Sequence, residues 1–413
     1  MGKLIDSGIA LKKSSKILST LSTLEKNNAL KEIIKALEAN KPSILAENEK
    51  DVQNARDNGV KESLIDRLAL NESRLDAIID SINTVIKLPD PIGACKYGKT
   101  AENGMQINQV TVPLGVISII YESRPNVTVD AAVLALKSGN CVLLRGSSSA
   151  INSNKALVKA IREGLSNSKI PADACILVED TDRALVLELL KMNKYLDLVI
   201  PRGGADLINF VVQNATVPTI ETGVGNCHLF VDESADFEMA LNIIENGKVQ
   251  RPSVCNALET VLVHKNIAEQ FLPKLAKKIG DKVEFYGCEV TQKYIDCKSA
   301  TTVEYATEFL DYVLAIRVVD DVHQAIEHID EYTSHHSECI VSNDYANTNI
   351  FTKQVDAACV YVNASTRFTD GGEFGFGCEM GISTQKMHVR GPVGLEHLVS
   401  SKYVILGNGQ IRG

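Results

Sequence analysis

The sequence has no apolar run near the roughly 20 residues that a membrane-spanning helix needs, and it has no excess of basic residues. Its formal net charge of −9 argues against a nucleic-acid-binding protein, which would carry a basic surface. The N-terminus also lacks the long apolar core of a secretory signal. These absences predict a cytoplasmic protein that binds neither a membrane nor a nucleic acid.

Metal and nucleotide signatures are missing as well. The ten cysteines contain no CxxC or CxxxxC pair, so neither a zinc site nor a redox disulfide is predicted, and the thiols are expected to be reduced. His335 and His336 are adjacent, so they point apart on a strand or loop, and no third ligand stands at a recognisable spacing. No metal site is predicted. No Walker sequence and no complete GxGxxG occurs.

The length and the hydrophobic pattern predict two or three domains, since 413 residues exceed one ordinary core. Residues 4–88 have the spacing of amphipathic helices, as in Ile17, Leu21, Leu24, Leu30 and Ile33. From Leu114 onward, short apolar strands alternate with helices, which indicates βαβ units around a parallel sheet. The predicted strands are 115–120, 141–144, 174–178 and 196–200, and the predicted helices are 127–137, 153–165, 183–190 and 205–212.

A second α/β series follows Asp232. Its predicted strands are 258–263, 313–319, 339–341 and 359–362, and its predicted helices are 236–245, ended by Gly247, 267–279 and 322–329. Residues 105–112 alternate as an exposed strand, typical of a protruding ribbon. Residues 403–406 read as one more strand, which needs a partner to be stable.

Cys255 lies in a polar loop between a predicted helix and a predicted strand, after the cations Lys248 and Arg251. A thiol is a nucleophile only as the thiolate, and nearby positive charge and partial exposure favour that form. The alternative is a small buried hydrophobic residue, as most free cysteines are. The local sequence leaves both interpretations open.

Two loops that follow predicted strands could bind an anion. Arg145, Gly146 and Ser147 follow the strand 141–144, while Gly203 and Gly204 follow the strand 196–200 and open a helix. Free backbone N–H groups at a helix start attract phosphates. The alternative is an ordinary turn, in which the glycines permit a tight backbone and the serines cap a helix.

Two further loops carry polar side chains at strand ends, where open α/β sheets bind ligands. Ser123, Arg124 and Asn126 follow the strand 115–120, and Asn363 and Arg367 follow the strand 359–362. An arginine suits a carboxylate or a phosphate. A solvated connection is the alternative for each loop.

Longer strings carry a resemblance to a known family. The segments IIYESRPNVTVDAAVLALKSGN, QRPSVCNALET and YVNASTRFTDGGEFGFG, with STQKMHVRGPVGLE after them, resemble the γ-glutamyl phosphate reductases of the aldehyde dehydrogenase superfamily. The likeness spans nearly the full length. It implies an α/β fold with a Rossmann-like cofactor domain (1–92 and 114–224), a catalytic domain (225–395) and a small oligomerisation ribbon (93–113 and 396–413). It also implies a homo-oligomer, a dimer or tetramer.

The resemblance also implies roles for individual residues. Cys255 matches the nucleophile, and Ser123 stands where the superfamily usually has an asparagine that holds the oxyanion. The turn from Glu221 to Gly225 replaces the usual Glu-x-Gly-Gly-Lys, which weighs against activation of water by Glu221 and leaves that residue as a cofactor contact. The remaining cofactor contacts implied are Arg145, with Gly146 and Ser147, at the adenosine ribose or 2′-phosphate, Gly203 and Gly204 at the pyrophosphate, and Glu308 at the other ribose.

The activity implied is NADPH-dependent reduction of L-glutamyl 5-phosphate to L-glutamate 5-semialdehyde, through a cysteine thioester, in proline biosynthesis. Arg124, Asn126, Asn363 and Arg367 are the candidates for binding the substrate. A hydrolytic aldehyde dehydrogenase and a non-catalytic binding protein on the same scaffold are the alternatives. A complex with glutamate 5-kinase, which would make the acyl phosphate, stays open.

Overall fold

The computed structural model describes residues 2–412, apart from the side chain of Ser63, and the chain divides into two compact units. Unit 1 comprises residues 2–221, 375–380 and 393–412. Unit 2 comprises residues 222–374 and 381–392. The roles that the sequence assigns to its three domains stay predictions.

The helices and strands are numbered in chain order. The helices are α1 (Gly2–Leu18), α2 (Thr23–Asp57), α3 (Glu62–Leu68), α4 (Glu72–Lys87), α5 (Pro125–Lys137), α6 (Ile151–Ser166), α7 (Ala184–Leu189), α8 (Ala205–Asn214), α9 (Phe237–Val249), α10 (Lys265–Ile279), α11 (Thr302–Tyr305), α12 (Val322–Tyr332) and α13 (Tyr345–Gln354). The strands are β1 (Cys95–Thr100), β2 (Gln106–Pro113), β3 (Val116–Tyr121), β4 (Cys141–Gly146), β5 (Cys175–Leu177), β6 (Leu198–Arg202), β7 (Cys227–Val231), β8 (Leu258–His264), β9 (Glu284–Gly287), β10 (Lys298–Ser299), β11 (Val313–Val319), β12 (Ser337–Val341), β13 (Cys359–Val362), β14 (Ile382–Ser383), β15 (Gly391–Pro392) and β16 (Val399–Leu406). Within residues 2–412, no helix is both long and apolar enough to cross a membrane.

The N-terminal region is helical, as the apolar spacing predicts. Leu30 and Ile33 of α2 are fully buried, but Ile17 and Leu24 are 43% and 67% exposed, so these two lie outside the buried face although they share the helical spacing. The reason is a break between α1 and α2, where Ser22 and Glu25 form a reciprocal capping box. A new helix start resets the phase of the buried stripe.

Unit 1 contains a four-stranded parallel sheet in the order β5-β4-β3-β6. The predicted strands are confirmed to within a few residues. The chain runs outward from β3 to β4 and β5, and then returns to the other side of β3 with β6. Such a reversal leaves a crevice at the carboxyl ends of β3 and β6, which is where sheets of this kind bind ligands.

A three-stranded antiparallel sheet, in the order β1-β2-β16, also belongs to unit 1. The expectation that the last strand needs a partner is confirmed, because β16 pairs with β2 from Val399↔Pro113 to Leu406↔Gln106. The oligomeric role of this sheet stays a prediction.

Unit 2 is built on a seven-stranded parallel sheet in the order β10-β9-β11-β8-β7-β12-β13. The predicted strands β8, β11, β12 and β13 are present, but the sequence did not indicate β7, β9, β10 or α13. Helix α9 continues to Val249, so the predicted end at Gly247 is wrong. Gly247 faces β8 inside the helix, where a Cβ would lie 3.2 Å from the Cβ of Leu258.

Candidate active site

Cys255 lies in the loop between α9 and β8 and is partly exposed, as the sequence predicts. Its backbone is tightly enclosed. A Cβ atom on Gly225 would lie 1.5 Å from the carbonyl oxygen of Cys255, and the Sγ of buried Cys227 donates to that same oxygen at 3.3 Å. The loop of Cys255 is therefore fixed by its main chain, while Cys255 itself stays partly exposed.

Lys248 is not the surface cation that the sequence suggested. Its side chain and that of Glu259 are fully buried, and Nζ lies 2.6 Å from Oε2 of Glu259. Burial lowers the pKa of Lys248, and burial raises the pKa of Glu259 to about 8 against the opposing charge of the lysine. The positive charge that acts on the thiol must come from elsewhere.

Arg367 is a cation whose loop the fold joins to the loop of Cys255. It stands in a 3-10 turn, Thr366–Phe368, just after β13, and its Nε donates to Oε1 of Gln250 at 3.3 Å. Burial lowers the pKa of Arg367, the neighbouring charge of Arg251 lowers it further, and the negative charge of Cys255 opposes this shift. The predicted arginine loop and the predicted nucleophile therefore meet in unit 2.

Asn256 joins these two loops, and the sequence interpretation missed it. Its buried Nδ2 donates to the carbonyl oxygens of Arg367 at 3.2 Å and Thr369 at 2.9 Å. The hydroxyl of Thr366 donates back to the carbonyl oxygen of Asn256 at 2.8 Å. Among the described residues, Oδ1 of Asn256 has no hydrogen-bond partner. Only its position directly after Cys255 could have indicated this role.

Glu308 is anchored next to the loop of Cys255. Its Oε1 accepts the N–H of Gly225 at 2.8 Å, and the N–H of Leu310 donates to Oε1 of Glu259 at 3.3 Å. Leu310 has a positive φ of 54°, so this short segment has a specific backbone shape. Its contact with a cofactor ribose stays a prediction.

The side-chain amide of Asn363 forms hydrogen bonds with the backbone of Ser342. Its Oδ1 accepts the N–H of Ser342 at 2.9 Å and its Nδ2 donates to the carbonyl oxygen of Ser342 at 3.0 Å, which ties the end of β13 to the end of β12. Its contact with the substrate stays a prediction, and the geometry gives this side chain a structural task of its own.

In unit 1, the loop after β3 carries Ser123, Arg124 and Asn126. The Oγ atoms of Ser123 and Ser149 are 2.7 Å apart, so this loop and the loop after β4 are joined. Nδ2 of Asn126 donates to Oδ2 of Asp130 at 3.0 Å, and Arg124 precedes α5 as its N-cap residue. The roles of these three residues toward substrate stay predictions.

Arg145, at the end of β4, is partly buried and reaches the next strand connection. Its Nη2 donates to the carbonyl oxygen of Thr181 at 3.0 Å, and among the described residues its buried Nε has no partner. Burial lowers its pKa, and the nearby charge of Arg183 lowers it further. Gly146 ends the same strand and Ser147 follows it, with its Oγ 2.6 Å from that of Ser149.

Gly203 and Gly204 do form an anion-accepting helix start, but the protein supplies an anion of its own. Oε2 of Glu122 accepts the N–H of Gly204 at 2.9 Å, directly before α8. A Cβ on Gly203 would lie 2.6 Å from that carboxylate oxygen, so a side chain there would displace the carboxylate. The sequence interpretation missed Glu122 because the contact joins the ends of β3 and β6, which are far apart in the chain.

The predicted site residues thus divide between the units. Unit 2 brings together the loops of Cys255, Arg367 and Glu308, and unit 1 brings together the ends of β3, β4 and β6, while Glu221 closes the first segment of unit 1. Among the described residues, no group of three or more His, Cys, Asp or Glu side chains could hold a metal ion.

Comparison with known proteins agrees with this architecture. The family model described as "Aldehyde dehydrogenase family" matches residues 10–285. A γ-glutamyl phosphate reductase from Alkaliphilus oremlandii is 59% identical over 100% of both chains. The crystal structure of a γ-glutamyl phosphate reductase from Thermotoga maritima superimposes with a TM-score of 0.95 at 52% identity, covering 99% of this chain and 100% of that one.

A more distant structure shows the fold alone. An acetylating aldehyde dehydrogenase from Geobacillus thermoglucosidasius has a TM-score of 0.74 at 18% identity, covering 100% of this chain and 98% of the other. The chain therefore belongs to the aldehyde dehydrogenase family, and within it to the group of γ-glutamyl phosphate reductases. It is an oxidoreductase of that family, whose members use nicotinamide cofactors.

Proposed function

We propose that this protein reduces L-glutamyl 5-phosphate to L-glutamate 5-semialdehyde with NADPH, releasing phosphate, as a step of proline biosynthesis. The observation that carries the proposal is that the loop of partly exposed Cys255 and the loop of Arg367 are joined in unit 2 through Asn256, so the guanidinium of Arg367 lies near the thiol. A thiolate nucleophile and a cation that suits phosphate are the two groups that an acyl phosphate requires. The identity of 59% to a γ-glutamyl phosphate reductase supports the same substrate.

The first step is attack of the Cys255 thiolate on the acyl carbon. The new C–S bond forms, the tetrahedral oxyanion is stabilised by the backbone N–H of Cys255, and the bond between the acyl carbon and the phosphate oxygen breaks. Inorganic phosphate leaves with the electron pair of that bond, so no strong acid is needed. Arg367, the neighbour of Cys255, favours the thiolate and would bind the phosphate.

The thioester conserves the acyl group on Cys255 for reduction. A bound nicotinamide cofactor would supply the hydride that reduces the thioester carbon. Collapse of the resulting thiohemiacetal breaks the C–S bond, releases the aldehyde and returns the Cys255 thiolate. Because phosphate has already left, this sequence has no need of an activated water or of Glu221 as a base.

Unit 1 has residues that fit a dinucleotide cofactor. The carboxyl ends of β3, β4 and β6 lie at one edge of a parallel sheet with a reversal of strand order. Arg145 has a buried Nε without a partner among the described residues, which suits an added phosphate such as the 2′-phosphate of NADP. The Gly203–Gly204 turn would hold the pyrophosphate, with Gly146 and Ser147 as further contacts.

The assembly is part of the proposal. The three-stranded sheet exposes Tyr403 and Ile405 by more than half of their surface, and it would supply the contact of a homo-oligomer. A complex with a glutamate 5-kinase would shorten the time that the labile acyl phosphate spends in cytoplasmic water.

The test is replacement of the nucleophile. Cys255→Ala should lower kcat by at least about 10³-fold, as loss of a covalent nucleophile does, and should leave the Kd of NADPH within about twofold because Cys255 does not hold the cofactor. The matched control is Cys95→Ser, which alters an exposed thiol of β1 and should leave kcat unchanged. Substantial turnover by Cys255→Ala would overturn the proposal.

A further inference from the structure

A fully buried ion pair spans the nucleophile loop, and the mechanism above does not use it. Lys248 lies in the last turn of α9 and Glu259 lies on β8, so one partner stands on each side of Cys255. Both side chains are 0% exposed and Nζ lies 2.6 Å from Oε2. Taking two charges out of water is costly, and apolar residues of similar volume often replace such pairs without loss of stability. A specific task would explain why the pair is present.

The pair has a third partner in the segment that carries Glu308. The carboxylate oxygen of Glu259 that does not bind Lys248, Oε1, accepts the N–H of Leu310 at 3.3 Å. The ammonium of Lys248 lies 6.0 Å from the ring centre of Phe309. With a φ of 54° at Leu310, the segment has a backbone conformation that most residues avoid, and these contacts help to hold it.

The other end of this segment returns to the nucleophile. Oε1 of Glu308 accepts the N–H of Gly225 at 2.8 Å, and Gly225 packs directly against the carbonyl group of Cys255. These contacts therefore form a continuous chain in unit 2 that returns to its starting residue. It links Cys255 to Gly225, Glu308, Leu310 and Glu259, and the backbone then connects Glu259 to Cys255.

We propose that Lys248 and Glu259 are positioning residues that hold the Cys255 loop and the Glu308 segment in a fixed relation to each other. Neither residue touches the reacting atoms, so both act through the placement of Cys255 and Glu308. The consequence for NADPH rests on the proposed function, because it uses the predicted contact of Glu308 with the cofactor. The consequence for the reactivity of Cys255 is independent of it.

Two double variants separate the hydrogen bond from the charge. Lys248→Met with Glu259→Leu removes both charges and the acceptor for Leu310, whereas Lys248→Met with Glu259→Gln removes the charges and keeps an acceptor. The Leu variant should lower kcat about 10-fold and raise the KM for NADPH about 10-fold, because misplacement of catalytic groups is costly. The Gln variant should recover part of both parameters, because it restores the acceptor for Leu310 but not the ion pair. Wild-type kcat and KM in a folded Leu variant would overturn the proposal.

Alkylation of Cys255 by iodoacetamide, without substrate or cofactor, gives a readout that does not depend on the reaction proposed. In the Leu variant the rate at pH 7 should fall about threefold and its pH midpoint should rise, since Cys255 shifts away from Arg367. An unchanged alkylation profile, in a variant whose kcat is also unchanged, would contradict the inference. A wild-type enzyme that fails to use glutamyl phosphate would instead contradict the proposed function and leave the alkylation result standing.

A matched control is available in unit 1. Lys26 and Asp90 also form a buried lysine–carboxylate pair at 2.6 Å, with side chains 2% and 9% exposed, and Asp90 likewise accepts a backbone N–H, that of Ile92 at 3.0 Å. Lys26→Met with Asp90→Leu should change the Tm without changing the alkylation of Cys255.

If the double variant Lys248→Met with Glu259→Leu does not fold, Glu259→Asp withdraws the acceptor by one methylene and keeps the charge. It should reproduce the loss of kcat, and wild-type kinetics would overturn the proposal.

Discussion

A Cβ atom on Gly225 would lie 1.5 Å from the carbonyl oxygen of Cys255. The N–H of the same glycine donates to Glu308 at 2.8 Å. In the superfamily pattern that the sequence resembles, this position of the turn after Glu221 is a lysine. No side chain fits here, because the backbone of Cys255 occupies its space. The turn and the loop are therefore packed against each other main chain to main chain.

Gly225→Ala should lower kcat by about 100-fold, because the Cys255 loop must move by an ångström or more and such misplacement is costly in enzymes. The measurement is steady-state kinetics together with the thermal unfolding midpoint. Gly247→Ala is the control, since its Cβ would meet Leu258 only at 3.2 Å, and it should keep most of the activity. A Gly225→Ala enzyme with wild-type kcat would show that the loop tolerates displacement.

Arg367→Ala should raise the KM for phosphate in the reverse reaction by about 10- to 100-fold, since a hydrogen bond to a charged group contributes roughly 1.5–3 kcal/mol. The KM for phosphate of Arg367→Lys should lie between those of the wild type and Arg367→Ala, because lysine keeps the positive charge but lacks the planar guanidinium. The control is Lys265→Ala, which removes an exposed cation of the same unit that pairs with Asp320. Equal KM values for wild type and Arg367→Ala would exclude Arg367 from the phosphate site.

Glu122→Gln should tighten NADPH binding about three- to tenfold. The carboxylate of Glu122 already occupies the N–H of Gly204 at the start of α8, and an anion there repels the pyrophosphate that the same helix start attracts. A fluorescence titration with NADPH measures the change, and Glu179→Gln, an exposed carboxylate paired with Lys155, is the control. Weaker binding by Glu122→Gln would mean that Glu122 supports the cofactor.

The hairpin of β14 and β15 should contribute a pH-dependent part of the stability. Hydrogen bonds from Lys386 and then Arg390 lower the pKa of Asp356 to about 2, below the value of roughly 4 expected in an unfolded chain. A lowered pKa stabilises the fold above the unfolded value, and this contribution is lost as the pH falls from about 4 toward 2.

Asp356→Asn isolates that contribution. The difference in unfolding free energy between wild type and Asp356→Asn should be largest above about pH 5 and should disappear only as the pH falls below about 2, the pKa of Asp356 in the folded protein. Urea unfolding at several pH values measures it. A difference that stays constant with pH would show that the charge of Asp356 is not its source.

The sequence predicts most strands of the two parallel sheets but not the side-chain contacts between neighbouring strands. Runs such as 141–144 and 359–362 are apolar and short, so they are recognisable as buried strands. Strand β7, Cys227–Val231, was missed because a histidine interrupts it. Its His228 is buried, and the ring Nδ1 lies 3.0 Å from Oε2 of Glu338 on the neighbouring β12. That partner is unknowable before the strand order is known.

For the same reason, the sequence predicts only part of the candidate site. Cys255 and Arg367 could be named from their loops, since each carries chemistry in its own segment. The burial of Lys248, the bridge made by Asn256 and the cap that Glu122 places on Gly204 each depend on a partner from a different part of the chain. Local sequence reports what a residue can do, and the fold decides which group it meets.

The most direct test of the central claim is NADPH formation from glutamate semialdehyde and NADP+, with and without inorganic phosphate. If Cys255 holds a thioester that phosphate resolves, NADPH formation beyond a single turnover should depend strictly on phosphate. Equal rates without phosphate would mean that water resolves the thioester, and the protein would then be a hydrolytic aldehyde dehydrogenase.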